Sequence, residues 1–371
     1  MTDHAAFTAC YRRPPAVAVS APGRVNLIGD HTDYNGGLVL PIALPQRTRA
    51  LLARRADRRV QARSAQVPGD MSYKLGDERR AACWLDYVQG VTAVLAADRQ
   101  PIAGFDLFVA SDVPVGSGLS SSAALEVALL RGLRALFRLE FDDTALALLA
   151  HRAETGLVGA PVGVMDQLVC SRGDEHSALF IDTRSLALRR VPLPASLGLV
   201  VIYSGLDHRL TGGDYGVRRA ECEQAAALLE VRQLRDVAAD DPRIAALPDA
   251  LPQRVRHVIS ENARVLAAVD ALVAADLPRL GALLDASHRS LRDDYAVSLP
   301  EIDRLVDLAR DDAAVFGARL TGGGFGGSVV IATSPDQAER VAVAVARAYA
   351  DAVGLTPRVV LPRLRDFESR P

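Results

Sequence analysis

The sequence predicts an α+β protein of two domains, and three observations carry that prediction. The chain has 371 residues, beyond the ~100 to 200 of a usual single domain. A strand, a glycine-hinged turn and a nearly all-apolar helix follow one another over residues 105–137. Past Pro192 and Pro194 the chain restarts on an apolar strand at 197–203 and closes on strand, helix and strand over 329–361, a small α+β unit of its own. The expected domains are residues 1–192 and 193–371.

Charge narrows the partners. With 43 Lys+Arg against 45 Asp+Glu the net charge is −2, which excludes a sequence-independent grip on nucleic acid or an anionic membrane. A small molecule is the expected partner. Cys10, Cys83, Cys170 and Cys222 form no CxxC pair and the histidines no HExxH, so free thiols in a reducing compartment are expected rather than zinc. Residues 1–15 contain no apolar signal core, and no stretch approaches ~18 uninterrupted apolar residues. A soluble, cytoplasmic protein is expected.

In chain order, a polar leader gives way to a strand at 16–19 that runs into APGRVNLIGDHTDYNGGLVLP, residues 21–41. Pro22 and Gly23 bend the chain before Arg24, and Asp30, His31, Thr32 and Asp33 crowd several kinds of polar group together. Asn35-Gly36-Gly37 then turns it back into an apolar run. The cluster reads either as partners for a polyhydroxylated ligand or as a hairpin turn with Asp30 as a cap. Residues 47–80 are arginine-rich and strand-like in pieces; Ser64 is a candidate nucleotide contact or an exposed strand end. Apolar spacing at Leu85, Val88, Val91 and Leu95 predicts a helix over 84–97.

The most informative stretch is DVPVGSGLSSSAALEVALL, residues 112–130. Gly116 and Gly118 allow a tight turn with exposed N–H groups, and Ser120, Ser121 and Ser122 fall at the positive end of the helix that follows. It reads as a phosphate cradle, with an ordinary N-cap as the alternative. No Gly-Lys-Ser/Thr follows, and Lys74 is the single lysine of the chain. A triphosphate bound here would have to be neutralised by backbone N–H groups, a divalent cation and arginine.

A helix is expected over 143–155, stopping at Gly156, with Glu154 at the unfavourable end of its dipole. Glu154 is a metal-ligand candidate or a surface glutamate. Pro161 and Gly163 then fix a loop, and Asp166 enters an apolar segment as either a paired structural charge or a working base. Two strands are expected around Asp182 within 176–186. In the second half, the loop from Thr211 to Gly216 leads into a helix from Val217, and Tyr215 either stacks on a ligand ring or seals the helix end. Helical patterns fill 253–313. Five glycines within 322–327 form a loop that another backbone or a ligand can approach closely, feeding a strand at 329–332. A helix over 335–352 and a strand at 358–361 complete the chain.

Three glycine-bearing stretches, GRVNLIGDHTDYNGG, VPVGSGLSSSAALEVA and GARLTGGGFGGSVV, resemble in order the three motifs of the GHMP small-molecule kinase superfamily, and within it those of the galactokinases. VGAPVGVMDQ, DYGVRRAECE and SHRSLRDDYAVS resemble its lesser motifs. The resemblance implies a two-domain GHMP kinase fold, N-terminal ribosomal protein S5 domain 2-like and C-terminal ferredoxin-like, with the active site in the interdomain cleft. It implies phosphorylation of the C1 hydroxyl of galactose by ATP with Mg²⁺, by a monomer. Asp166 would be the catalytic base and Arg24 would orient it. Asp30, His31, Asp33, Gly163 and Tyr215 would contact the sugar. Gly116, Ser117, Gly118, Leu119, Ser120, Ser121 and Ser122 would wrap the phosphates, and Ser122 and Glu154 would hold the metal. Asp30 departs from the family, which nearly always has Glu there, and this bears on sugar selectivity. A sugar 1-kinase acting on N-acetylgalactosamine or arabinose, and a non-catalytic galactose sensor, stand as alternatives.

Overall fold

The computed structural model describes residues 2–206 and 214–360. In order its elements are α1 (Asp3–Tyr11), β1 (Val17–Asn26), β2 (Leu38–Val39), β3 (Pro41–Arg54), β4 (Arg59–Ser64), β5 (Met71–Lys74), α2 (Leu85–Ala97), β6 (Phe105–Ser111), α3 (Ser121–Phe137), α4 (Asp143–Ala153) and α5 (Met165–Arg172). There follow β7 (Ser177–Asp182), β8 (Ala187–Pro192), β9 (Gly198–Tyr203), α6 (Asp214–Leu228), α7 (Leu251–Val273), α8 (Leu277–Asp293), α9 (Pro300–Arg310), β10 (Val315–Thr321), β11 (Ser328–Thr333), α10 (Ala338–Val353) and β12 (Arg358–Val360). The α+β class expected from the sequence is the class observed.

Two compact units interleave along the chain: Met1–Arg24, Gln46–Pro114 and Ser120–Arg172 form the first, and Val25–Pro45, Val115–Leu119 and Gly173–Pro371 the second. Pro192, proposed as the end of an N-terminal domain, closes β8 within the second unit.

In the first unit β3 pairs antiparallel with β6, β6 parallel with β4, and β4 antiparallel with β5. Residues 105–110 of β6 are buried on both faces, so the period of two in its sequence does not mark a solvent face. The reason is α1. The predicted polar leader is a helix capped by the Thr2 hydroxyl, and its Phe7 packs with Leu51, Ala53, Phe108 and Ala110. The Tyr11 hydroxyl donates to the Leu107 carbonyl at 2.7 Å. The remaining helices, α2 to α5, pack on one another; α3 is apolar nearly all round and ends at Arg138 in the left-handed region, with Arg134 favourably placed in the last turn.

The second unit holds an antiparallel sheet in the order β10-β11-β9-β12, in register at pairs such as Val330 with Val201 and Leu320 with Val329. Its core is built from that sheet and from α6, α7, α9 and α10. The segment 25–45 belongs here, where β2 pairs with β7, and β7 with β8.

Four expectations need correction. Helix α4 does not stop at Gly156: it widens into a π-helical turn, Glu154–Val158, and Gly159, left-handed at φ 76°, is the stop. Residues 176–186 contain one strand, because the turn after Asp182 delays the second to Ala187. Helix α6 starts by Asp214, whose carboxylate suits a first turn, so Tyr215 is helical; residues 211–213 of the expected loop lie outside the described residues. Helix α10 starts at Ala338 after a turn; Leu361, expected in the last strand, is outside the described residues.

Candidate active site

Arg24 lies near the end of β1 and is almost fully buried; Asp166 lies in the first turn of α5, where a carboxylate is favoured by the helix dipole. They meet as two planar forks. Arg24 Nε donates to Asp166 Oδ1 at 2.7 Å and Nη2 to Oδ2 at 2.8 Å. The Asp166 side chain is 22% exposed, so the paired carboxylate remains accessible. Ser120 Oγ donates to Asp166 Oδ2 at 2.5 Å.

That serine explains the start of α3. Ser120 occupies the N-cap position in the left-handed conformation (φ 61°), and its side chain does not cap the helix because it is spent on Asp166. The first-turn N–H groups of α3 therefore have no side-chain cap from Ser120, an arrangement suited to an anion. Ser121 and Ser122 are half-buried in that turn. Upstream, Gly116 and Gly118 both have φ 75°, as the sequence required of the turn. Ser328 Oγ donates to the Ser117 carbonyl at 2.8 Å, and Leu119 is buried. A Cβ on Gly322 would lie 2.9 Å from the Gly118 carbonyl, so glycine is needed where the third glycine stretch passes Gly118.

The π-helical turn sets Glu154, which is buried. Burial pushes its carboxyl up to about 7; a hydrogen bond with Ser122 opposes the rise and the charge of Asp166 adds to it. Gln167 Nε2 donates to Glu154 Oε2 at 2.5 Å. Glu126, fully buried on α3, is held well above the usual carboxylate range by burial and then by Glu154. Ser122 and Glu154 together offer hard oxygen donors, the chemistry Mg²⁺ takes when phosphates and water complete its shell. No group of three or more His, Cys, Asp or Glu that could hold a metal occurs among the described residues.

In the second unit Asp30 is buried with both oxygens engaged: Arg319 Nη2 donates to Oδ2, and the Gly322 N–H donates to Oδ1 at 3.0 Å. Arg319 is fully buried and also donates to the Leu27 carbonyl at 3.0 Å. His31, left-handed at φ 63°, has Nδ1 2.8 Å from Tyr34 Oη and Nε2 3.2 Å from the Gly323 carbonyl. Tyr215, half-buried, stands 5.1 Å from the His31 ring between centroids, and a Cβ on Gly323 would meet its ring at 3.2 Å. Asp33 opens a 3₁₀ turn and accepts from the Tyr34 N–H at 3.0 Å. Gly163 is buried two residues before α5.

The candidates thus gather in two sets, Arg24, Asp166, Ser120, Ser122 and Glu154 in the first unit and Asp30, His31 and Tyr215 in the second. Three partners were missed from the sequence. Gln167 follows Asp166 directly, Ser120 is expected at the phosphates or as an N-cap rather than on Asp166, and Arg319 is the one charged residue of its strand.

Comparisons with known proteins agree with the motifs. Residues 5–54 match the galactokinase galactose-binding signature, 86–174 the GHMP kinases N terminal domain and 268–351 the GHMP kinases C terminal family. The chain is 45% identical over 364 residues to a galactokinase of Chloroflexus aurantiacus, covering 95% of this chain and 93% of that one. A Roseiflexus galactokinase is 43% identical over 374 residues, covering 98% and 95%. The crystal structure of Lactococcus lactis galactokinase complexed with galactose superimposes with a TM-score of 0.91 at 31% identity, covering 96% of each chain.

Proposed function

We infer the activity from membership: the chain belongs to the galactokinase family of GHMP kinases, and it catalyses ATP-dependent phosphorylation of the anomeric C1 hydroxyl of D-galactose to α-D-galactose 1-phosphate and ADP. The observation that carries the mechanism is the Arg24–Asp166–Ser120 cluster. Asp166 accepts the C1 hydroxyl proton as the C1 oxygen bonds the γ-phosphorus, and the bond from that phosphorus to the bridging oxygen breaks with its electron pair leaving on ADP. Arg24 and Ser120 fix the carboxylate's orientation, and Arg24 offsets charge as it develops.

Residues 116–122 hold the phosphates through backbone N–H groups, in keeping with a chain that has one lysine. Ser122 and Glu154 would hold Mg²⁺, which would supply positive charge to neutralise the phosphate oxygens. Asp33, Gly163 and Tyr215 bind galactose, and His31 contacts it other than through its ring nitrogens. Asp30 joins them through carboxylate lone pairs beyond those taken by Arg319 and Gly322.

The protein works as a cytoplasmic monomer without nucleic-acid or membrane partners. The net charge of −2, with no basic surplus, supports a small-molecule partner over nucleic acid or an anionic membrane. The test is a coupled ADP-release assay across galactose, N-acetylgalactosamine and arabinose, with the product identified by phosphorus NMR and mass in solution by light scattering. Galactose must be the preferred substrate and Asp166→Ala must abolish turnover while retaining ATP. Turnover surviving Asp166→Ala refutes the mechanism, and preference for another sugar refutes the substrate.

A further inference from the structure

Both ring nitrogens of His31 are taken by the protein itself. Nε2 faces the Gly323 carbonyl at 3.2 Å, and a carbonyl can only accept, so Nε2 carries a proton. Burial holds the imidazole in its neutral form, down to about 3. A neutral ring has one N–H, so Nδ1 is an acceptor and Tyr34 Oη, 2.8 Å away, donates to it. Tyr34 has then used its only proton. The Tyr295 hydroxyl, 2.8 Å from Tyr34 Oη, donates to Tyr34, and the Cys222 thiol, 3.0 Å from Tyr295 Oη, donates to Tyr295. Every proton in the chain points one way, from Cys222 to the Gly323 carbonyl.

The rings pack around this chain. His31 lies 4.8 Å from Tyr295 and 5.1 Å from Tyr215 between centroids, with Tyr34 set edge-on at 83°. Tyr295 is fully buried, and burial holds its hydroxyl protonated. The chain therefore links the segment carrying Asp30 and Asp33 to α6, through Cys222, and to the third glycine stretch, through Gly323.

We propose that Tyr34 and Tyr295 are positioning residues that fix His31 as the Nε2–H tautomer, so that its ring serves as a strut between the sugar motif and the Gly323 carbonyl and spends neither nitrogen on the sugar. The consequence for KM rests on the galactokinase reading, whereas the tautomer does not.

The experiment uses the full chain. Long-range ¹⁵N–¹H spectra of protein labelled at histidine, with His31 assigned by its loss in His31→Asn, report the tautomer with and without galactose. The expected result is Nε2–H in both states. An Nδ1–H ring, an averaged pair, or a switch on adding galactose overturns the proposal. In parallel, Tyr34→Phe and Tyr295→Phe are assayed with thermal unfolding as a control. Tyr34→Phe should raise KM for galactose by about fivefold, the effect of one neutral hydrogen bond, with kcat and KM for ATP within about twofold. Tyr295→Phe should act in the same direction and less. An unchanged KM for galactose in folded Tyr34→Phe, or a fall in kcat alone, overturns it. If the wild type fails to phosphorylate galactose, the functional reading fails and the spectra still decide the tautomer.

Discussion

Arg24 and Asp166 face each other fork to fork, at 2.7 and 2.8 Å, across 142 positions of chain. A guanidinium so placed does more than supply charge: it fixes the plane of the carboxylate proposed as the base. Asp166→Asn keeps the shape and removes the base, so kcat should fall by roughly 10²- to 10⁴-fold with ATP affinity unchanged within about threefold, read by rapid quench and calorimetry. Arg24→Lys cannot make the fork and should lower kcat by about tenfold or more. Near-wild-type turnover by Asp166→Asn would end the assignment of the base.

Ser120 gives its hydroxyl to Asp166 rather than to α3. Ser120→Ala should therefore lower kcat by about tenfold, as loss of a hydrogen bond to a charged group does, and leave helix stability nearly unchanged. Steady-state kinetics and circular dichroism separate these effects. A drop in unfolding temperature with unchanged kcat would mean that the hydroxyl is structural.

Asp30 neutralises Arg319, a fully buried cation. Asp30→Ala strands that charge and should cost about 3–5 kcal/mol of stability by chemical denaturation. Asp30→Glu keeps the ion pair and moves the oxygens by about a bond length, so it should change KM for galactose more than kcat. A large fall in kcat at constant KM would remove Asp30 from the sugar site.

Glu154 gives the molecule a pH dependence whose sign follows from burial. Its carboxyl is raised to about 7, so below that pH the folded protein holds a proton there that a metal must displace. Apparent Mg²⁺ affinity should rise between pH 6 and 8 and then level, seen in Mg²⁺ titrations of initial rate. Without metal the sign for folding is opposite: the native state binds more protons than the unfolded chain between about 4.5 and 7, so stability falls as pH rises through that window. Glu154→Gln should abolish the Mg²⁺-dependent rate and leave unfolding temperature at pH 8 equal or higher. A pH-independent Mg²⁺ titration would show that Glu154 is no ligand.

Local pattern was enough for much of the molecule. Helix α2, strand β6 and helix α3 follow from periodicity and apolar runs, Asp166 stands out as a charge in apolar surroundings and Glu154 by its place on the helix dipole, whereas the pairing of Arg24 with Asp166 rests on the family resemblance. What local pattern could not carry was competition between neighbours and pairing at a distance. Gly156 looked like the end of α4, yet Gly159 takes the left-handed stop and the helix widens between them. Helix α1 buries few side chains and is held to the sheet by Phe7 and Tyr11, so its sequence shows no strong stripe. Arg319 sits 289 positions from its partner Asp30, a link no window of sequence contains.

That last separation has a consequence for biosynthesis. The segment 25–45 leaves the ribosome early, but the Gly29 N–H awaits Glu261, and Asp30 awaits Arg319. At ~5–20 residues per second, Asp30 waits about 15–60 s for its counter-charge. Meanwhile Leu27, Ile28 and Leu40, fully buried in the finished protein, are exposed on the nascent chain. Slowed translation, or loss of the chaperones that shield such stretches, will therefore reduce the yield of active protein before any property of the mature enzyme changes.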